Sequence, residues 1–240
     1  RLTDDHSTVF LCYSELRIEQ GGNTMKENLT EVVFILDRSG SMGGLEGDTI
    51  GGFNSMMRRQ KDLDGEAVVT TVLFDDRYEL LHNRIPIKEV LTMTDRQYYV
   101  RGTTALLDAV GRTIRKVRRS HRSAADTGRP GKVIFVIITD GLENASQKFS
   151  RSQVQDMIRQ CREQGWEFLF LGANMDAVAE AESLGIEAER AATYQSDSRG
   201  TAANFEAVGE FLRQTRSGKE RPDDRWKKMV EARCAEHPQP

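Results

Sequence analysis

The sequence predicts an α/β fold: a mostly parallel central sheet with one antiparallel edge strand, covered by helices on both faces. Three observations carry this. Segments of strand and helix character alternate along the chain, the pattern of a parallel sheet with crossover helices. The apolar runs at residues 32–36, 133–138 and 168–171 are continuous rather than alternating, as strands buried on both faces must be. The β-branched run 67–74 is followed by Asp75-Asp76 and a second strand-like stretch near 77–82, a hairpin that supplies the antiparallel edge.

Taken in order, Val32-Val33-Phe34-Ile35-Leu36 is the first core strand. A helix over 48–60 turns Ile50, Phe53, Met56 and Met57 toward the core. After the hairpin, Pro86 opens a short helix through Leu91. Over 105–119, Leu106, Ala109, Val110, Thr113, Ile114 and Val117 recur at helical spacing. Residues 123–132 form a loop before the strand 133–138. Ser150 or Ser152 caps a helix that reaches about Gln164 and ends at Gly165. The third core strand is 168–171, followed by a helix over 175–183, an edge strand near 188–193 and a helix over 201–215. From Ser217 the chain is highly charged and carries Pro222, Pro238 and Pro240, a tail or an appended helix spanning Trp226 to Ala235. Trp226 is either a docking anchor or a cap over the core. Trp166 opens a core strand and packs.

The expected organisation is an N-terminal extension over 1–29, one domain over 30–215, and a charged tail or helix over 216–240. The chain opens on Arg1, and Met25-Lys26-Glu27-Asn28 reads as a bacterial start, with Gly21-Gly22 just upstream able to encode a ribosome-binding sequence. Residues 1–24 are therefore read as an upstream extension, the alternative being a strand over Val9–Tyr13. The 38% hydrophobic content of the 240 residues supports a full-sized core, and the net charge of −3 argues against nucleic acid as a partner. The three cysteines, Cys12, Cys161 and Cys234, are scattered and odd in number. They suggest a reducing, cytoplasmic setting rather than a disulfide framework or a zinc site. No apolar run approaches the roughly 18 residues of a membrane span, and no secretory signal is recognisable.

The chemistry centres on Asp37-Arg38-Ser39-Gly40-Ser41, which directly follows the first core strand. One carboxylate and two hydroxyls delivered at a strand's carboxyl end suit a hard cation such as Mg2+, and Gly40 lets the loop turn tightly. Two further polar loops follow at positions able to meet Asp37: Arg101-Gly102-Thr103-Thr104-Ala105-Leu106, and Thr139-Asp140-Gly141. Ligands of open α/β sheets bind beyond the carboxyl ends of the strands, where strand order reverses. If strands 32–36 and 133–138 are neighbours, Asp37, Ser39, Ser41, a threonine and Asp140 surround one point. Two carboxylates that close call for a cation between them.

These three motifs, in this order, resemble a von Willebrand factor type A domain with a complete metal-ion-dependent adhesion site, over roughly residues 30–215. The resemblance implies a Rossmann-like, doubly wound sheet. It also implies Mg2+ or Mn2+ as cofactor, with the serines bound directly and the aspartates often acting through water. The family's Gly-Gly-Thr-x-Leu loop becomes Gly102-Thr103-Thr104-Ala105-Leu106 here, which makes Thr104 the metal threonine and Thr103 the alternative. The Asp-Arg-Ser-Gly-Ser-Met wording is similar to bacterial stand-alone members. The implied function is a binding module, not an enzyme, whose metal recognises an Asp or Glu of a partner protein. Bacterial members that work beside ATPases or in stress-response operons point to a partner of that kind.

Two competing readings remain. A Mg2+-dependent hydrolase or phosphotransferase could use the same loops, but no general base or nucleophile lies near them in sequence. The histidines, His6, His82, His121 and His237, are scattered. A nucleic-acid-associated module could use the run Arg112, Arg115, Lys116, Arg118, Arg119 and Arg122, which has no acid within it. The plainer reading of that run is a solvated helix face. The glycine-rich segments 43–47 and 128–132 lack the ending and context of a phosphate loop.

Overall fold

The computed structural model describes residues 26–124, 128–173, 175–218 and 222–236. Among these residues six strands form one sheet in the order β3-β2-β1-β4-β5-β6. They are β1 (Lys26–Asp37), β2 (Glu66–Phe74), β3 (Tyr78–Pro86), β4 (Pro130–Thr139), β5 (Glu167–Ala173) and β6 (Ala191–Tyr194). Among the described residues only the β2–β3 pairing is antiparallel, which puts the reversed strand at one edge. The helices are α1 (Glu46–Lys61), α2 (Leu106–Ser123), α3 (Arg151–Glu163), α4 (Ala177–Ser183), α5 (Ser198–Arg216) and α6 (Arg225–Glu236). This is the Rossmann-like α/β architecture that the sequence predicts. Among the described residues no helix is long and apolar enough to cross a membrane.

The continuous apolar runs are explained by two cores, one on each face of the sheet. Along β1, Val32, Phe34 and Leu36 face one core while Val33 and Ile35 face the other, the period-two alternation of a strand. The first core lies under α1, α5 and α6, where Phe53 meets the edges of Phe34 at 5.4 Å and Phe205 at 6.4 Å. α1 and α5 approach closely because Gly52 has no side chain: a Cβ there would sit 2.5 Å from the Phe205 ring. The second core lies under α2, α3 and α4 and holds Val110, Ile114, Val154, Ile158 and Trp166, whose ring stacks on Phe135. The α3 start is fixed by a capping box between Ser150 and Gln153, so Ser150 is the cap and Ser152 is not.

Several boundaries differ from the sequence reading. β1 takes in Lys26–Leu29, residues assigned above to the extension, because they continue the strand beside β2 and β4. Pro86 ends β3 opposite Val68 instead of opening a helix, and only a short 3-10 turn, Ile87–Glu89, follows. A proline is tolerated there because β3 is an edge strand. α2 continues past Arg119 and ends at Ser123. The postulated start at Met25, the stretch Val9–Tyr13 and the tail beyond Glu236 lie outside the described residues.

The charged C-terminal stretch does form a helix, and it docks. Trp226 on α6 is fully buried and meets Phe211 of α5 edge to face at 5.9 Å. Trp226 is therefore a cap over the first core rather than an exposed anchor. Removing a fully buried tryptophan leaves a cavity, so Trp226→Ala is expected to lower the unfolding free energy by about 3 kcal/mol or more. Urea denaturation checks this; an unchanged midpoint would mean that α6 contributes nothing to the fold.

Candidate functional site

Strand order reverses between β1 and β4, which pair in parallel with Leu36 opposite Ile138. That register brings the residues just beyond them, Asp37 and Thr139-Asp140, side by side. Asp37 is 1% exposed. Its Oδ1 accepts the Ser39 backbone N–H at 2.7 Å and its Oδ2 accepts the Thr139 hydroxyl at 2.6 Å. The Ser39 and Ser41 hydroxyls are 3.0 Å apart, and Ser41 Oγ donates to Asp140 Oδ1 at 2.5 Å. Ser196, in the loop after β6, donates to Asp140 Oδ2 at 3.4 Å.

The loop Arg101–Leu106 completes the group. The backbone N–H of Gly40 donates to the Gly102 carbonyl at 3.1 Å, and that of Arg101 to the Arg38 carbonyl at 2.9 Å. These bonds lace the loop before α2 to the loop after β1. Thr103 is exposed, while Thr104 is buried and 2% exposed. The backbone of Gly141 shows where Thr104 points. A Cβ at Gly141 would lie 2.6 Å from Thr104 Oγ1, 3.1 Å from Ser41 Oγ and 3.5 Å from Ser39 Oγ. Three hydroxyls thus converge on a space that exists because residue 141 has no side chain. All five residues singled out from the sequence, Asp37, Ser39, Ser41, Thr104 and Asp140, lie at this one place.

The donors here are all oxygens. Among the described residues no cluster of three or more His, Cys, Asp or Glu side chains has a metal-binding arrangement. Hydroxyls supplemented by two carboxylates suit a hard divalent cation and not a soft one. Burial pushes the Asp37 carboxyl up to about 6, against the downward pull of its Thr139 and Ser39 hydrogen bonds, and the nearby Asp140 adds a smaller push upward. Burial also raises Asp140, opposed by Ser41 and Ser196. Burial thus raises the cost of ionising both carboxylates, a cost that a bound cation would offset. The described histidines lie elsewhere: His82 bonds Thr71 within the sheet, and His121 bonds Glu31.

A supporting shell escaped the sequence reading. Arg38, the variable residue inside the first motif, is fully buried. Its Nε donates to Asp75 Oδ2 at 3.1 Å, its Nη2 to Glu79 Oε2 at 2.7 Å and its Nη1 to the Gln97 carbonyl at 3.3 Å. Arg101 Nε donates to the same Asp75 oxygen at 2.6 Å. The Tyr98 hydroxyl donates to the Asp37 carbonyl at 2.5 Å. On the other side, Asn144 Oδ1 accepts the Thr104 N–H at 2.9 Å, and the backbone N–H groups of Asn144 and Ala145 return to the Thr104 carbonyl. Glu143 accepts the Leu107 N–H, and Asp108 accepts those of Lys148 and Phe149. Thr139 was legible, since it lies in the third motif. Asp75 reads as an ordinary turn residue in sequence, and nothing there shows that two arginines converge on it.

The sequence matches the von Willebrand factor type A domain family over residues 31–207. No curated protein matches the chain by sequence. Among solved structures, the von Willebrand factor domain of the type V pili tip protein Mfa5 from Porphyromonas gingivalis is similar, with a TM-score of 0.57 and 11% identity, covering 81% of this chain and 97% of that one. Proximal thread matrix protein 1 from the mussel byssus aligns with a TM-score of 0.52 and 15% identity over 78% of this chain. A form of that protein with a zinc-occupied MIDAS motif aligns with a TM-score of 0.51 and 16% identity over 78% of this chain. The present chain spans just under half, 46%, of the mussel protein's length. At these identities the likenesses speak for the fold.

Asp75 balances two guanidiniums, one of them fully buried. Asp75→Ala leaves Arg38 with an uncompensated buried charge on that side, and is expected to cost about 3 kcal/mol of stability. Chemical denaturation measures this; a loss well under about 1 kcal/mol would show that Glu79 and the Gln97 carbonyl suffice.

Proposed function

This chain belongs to the von Willebrand factor type A domain family, and from that premise we propose that it is a divalent-cation-dependent protein-binding module that recognises an acidic side chain of its partner. The observation that carries the reading is the convergence of the Ser39, Ser41 and Thr104 hydroxyls on the space over Gly141, between Asp37 and Asp140. Those five residues would hold Mg2+ or Mn2+, and the bound ion would supply positive charge at the top of the sheet for an anionic group.

The chain's own groups prepare that role. Thr139 and the Ser39 N–H occupy both oxygens of Asp37 and fix its orientation. Ser41 and Ser196 do the same for Asp140. With Tyr98 and Arg38 tying the first loop to its neighbours, the hydroxyls are held in place before any ligand arrives, which lowers the ordering cost of binding. A protein carboxylate is the best-matched ligand, being anionic, hard and common on surfaces. An enzymatic reading needs a base or nucleophile free to act, and both carboxylates here are engaged by hydroxyl and amide donors. The setting proposed is a bacterial cytosol, supported by the Asp-Arg-Ser-Gly-Ser-Met wording and the scattered cysteines. A partner from an ATPase or stress-response system fits that setting.

Millimolar Mg2+ or Mn2+ is expected to raise the melting temperature, since a ligand that binds only the folded state stabilises it by about 2.7 kcal/mol at a hundred times its dissociation constant. Asp37→Ala protein, still folded, is expected to lose the response. A wild-type melting curve indifferent to both ions, with no metal detected by direct titration, would remove the basis of the reading.

The threonine assignment has its own test. Thr104→Ala is expected to weaken Mn2+ binding by about tenfold or more, the scale of one lost charge-assisted contact. Thr103→Ala is expected to leave it unchanged. Isothermal titration of the two variants decides, and the reverse order of effects would give the role to Thr103.

A further inference from the structure

α2 carries a second surface that the site above does not use. Arg112, Arg115, Arg119 and Arg122 are exposed, and Lys116 and Arg118 are half-buried beside them. At 3.6 residues per turn, the four exposed arginines fall within about 80° of one another around the helix and extend over about 15 Å. Among the described residues, none of the six is ion-paired with a carboxylate. Three acids of the surrounding elements have other partners: Asp108 accepts backbone N–H groups, Glu31 is buried against His121, and Asp156 pairs with Arg159.

Helix-end electrostatics do not account for the stripe. The macrodipole favours cations only within the last turn, which covers Arg122 and borders Arg119 but does not reach Arg112 and Arg115. Those two are held over aromatic rings instead, Arg112 over Tyr78 at 4.1 Å and Arg115 over Phe149 at 4.4 Å. Stacking fixes the plane of a guanidinium while leaving its N–H edge free for a bidentate carboxylate. Setting the six aside leaves 28 cations against 37 acids in the rest of the chain, a charge of −9. The α2 stripe is thus a local run of cations on a chain that is otherwise net acidic.

We propose that the exposed face of α2 is a docking surface for an acidic segment of a partner protein. A short extended run of Asp and Glu matches the length of the stripe and meets only its charge. A nucleic-acid duplex is longer and denser in phosphate, and would also meet the acidic remainder. The surface is separate from the proposed metal site and stands without it.

The test uses a fluorescent decaglutamate peptide and the full chain, by fluorescence anisotropy in low-salt, metal-free buffer. Binding is expected, and is expected to fall steeply with added NaCl. Replacing Arg119 and Arg122 by Gln leaves the stacked arginines untouched and is expected to weaken binding by about three- to tenfold, the scale of two exposed ion pairs. Replacing all four arginines is expected to abolish it, with the melting temperature as the fold control. Ser41→Ala protein is expected to bind as wild type does; loss in that variant would place the peptide at the metal loops and overturn the proposal. So would absence of binding at low salt, or indifference to the arginine variants. A duplex DNA probe bound as tightly as the peptide and lost in the same variants would reassign the surface to nucleic acid. Salt-sensitive self-association lost in those variants would reassign it to a second copy of the chain.

Discussion

The parallel pairing of β1 with β4, which sets Leu36 beside Ile138, is the constraint on which the site rests. Asp37 and Thr139 lie one step past that pair, and the Thr139 hydroxyl closes on Asp37 at 2.6 Å. A slip of one residue would turn every side chain of the strand to the opposite face and part these two groups. The slip is prevented by burial on both sides of the sheet. Phe34 and Leu36 fill one core and Val33 and Ile35 the other, so either direction of slip would have to repack both cores. The hydrophobic interior and the polar site are in this sense one structure, with the interior setting the register and the register setting the site.

The antiparallel edge hairpin has a part in the same arrangement. Asp75 follows β2 and Glu79 lies on β3, and both take the guanidinium of Arg38. The loop bearing Ser39 and Ser41 is thereby anchored to the edge hairpin, whose Asp75 carbonyl also accepts the Ala105 N–H beside Thr104 at 3.0 Å. The hydroxyl donors are neutral, and each of the two carboxylates already accepts two hydrogen bonds. In the proposed function that division matters. Charge on a bound ion is countered only by carboxylates whose own density is already shared with hydroxyl and amide donors, so attraction for an external anion survives.

The sequence made most of the sheet legible because its strands are buried on both faces and read as unbroken apolar runs. It also made the five converging residues legible, because each lies immediately after a strand or before a helix, where direction is fixed by the element. What it hid has physical reasons. Lys26–Leu29 are polar enough to read as a terminus, yet Leu29 pairs with Glu66 of β2 and Lys26 with Pro130 of β4 once those strands are in place. Pro86 reads as a helix start, and only the edge position of β3 makes it a strand end. The choice between Thr103 and Thr104 depends on which way one loop rotates, and that is decided by distant donors and acceptors, Asn144 and the Gly40–Gly102 backbone contact. The convergence of Arg38 and Arg101 on Asp75 joins residues far apart in sequence, which no local pattern encodes.

α2 belongs to both surfaces, and its geometry keeps them from interfering. It begins two residues after Thr104, and its first exposed arginine, Arg112, lies six residues along, about 9 Å down the axis. That is beyond one Debye length at physiological ionic strength, about 8 Å. The repulsion of the α2 cations on a cation at the top of the sheet is thus partly screened by salt. The arginines that lie close to the site, Arg38 and Arg101, have their charge taken up by Asp75 at 3.1 and 2.6 Å. Positive charge is thus withdrawn from the hydroxyl cluster and retained along the helix. One rigid element can then present two anion-seeking surfaces of different kind, one needing an ion to attract its ligand and the other attractive on its own.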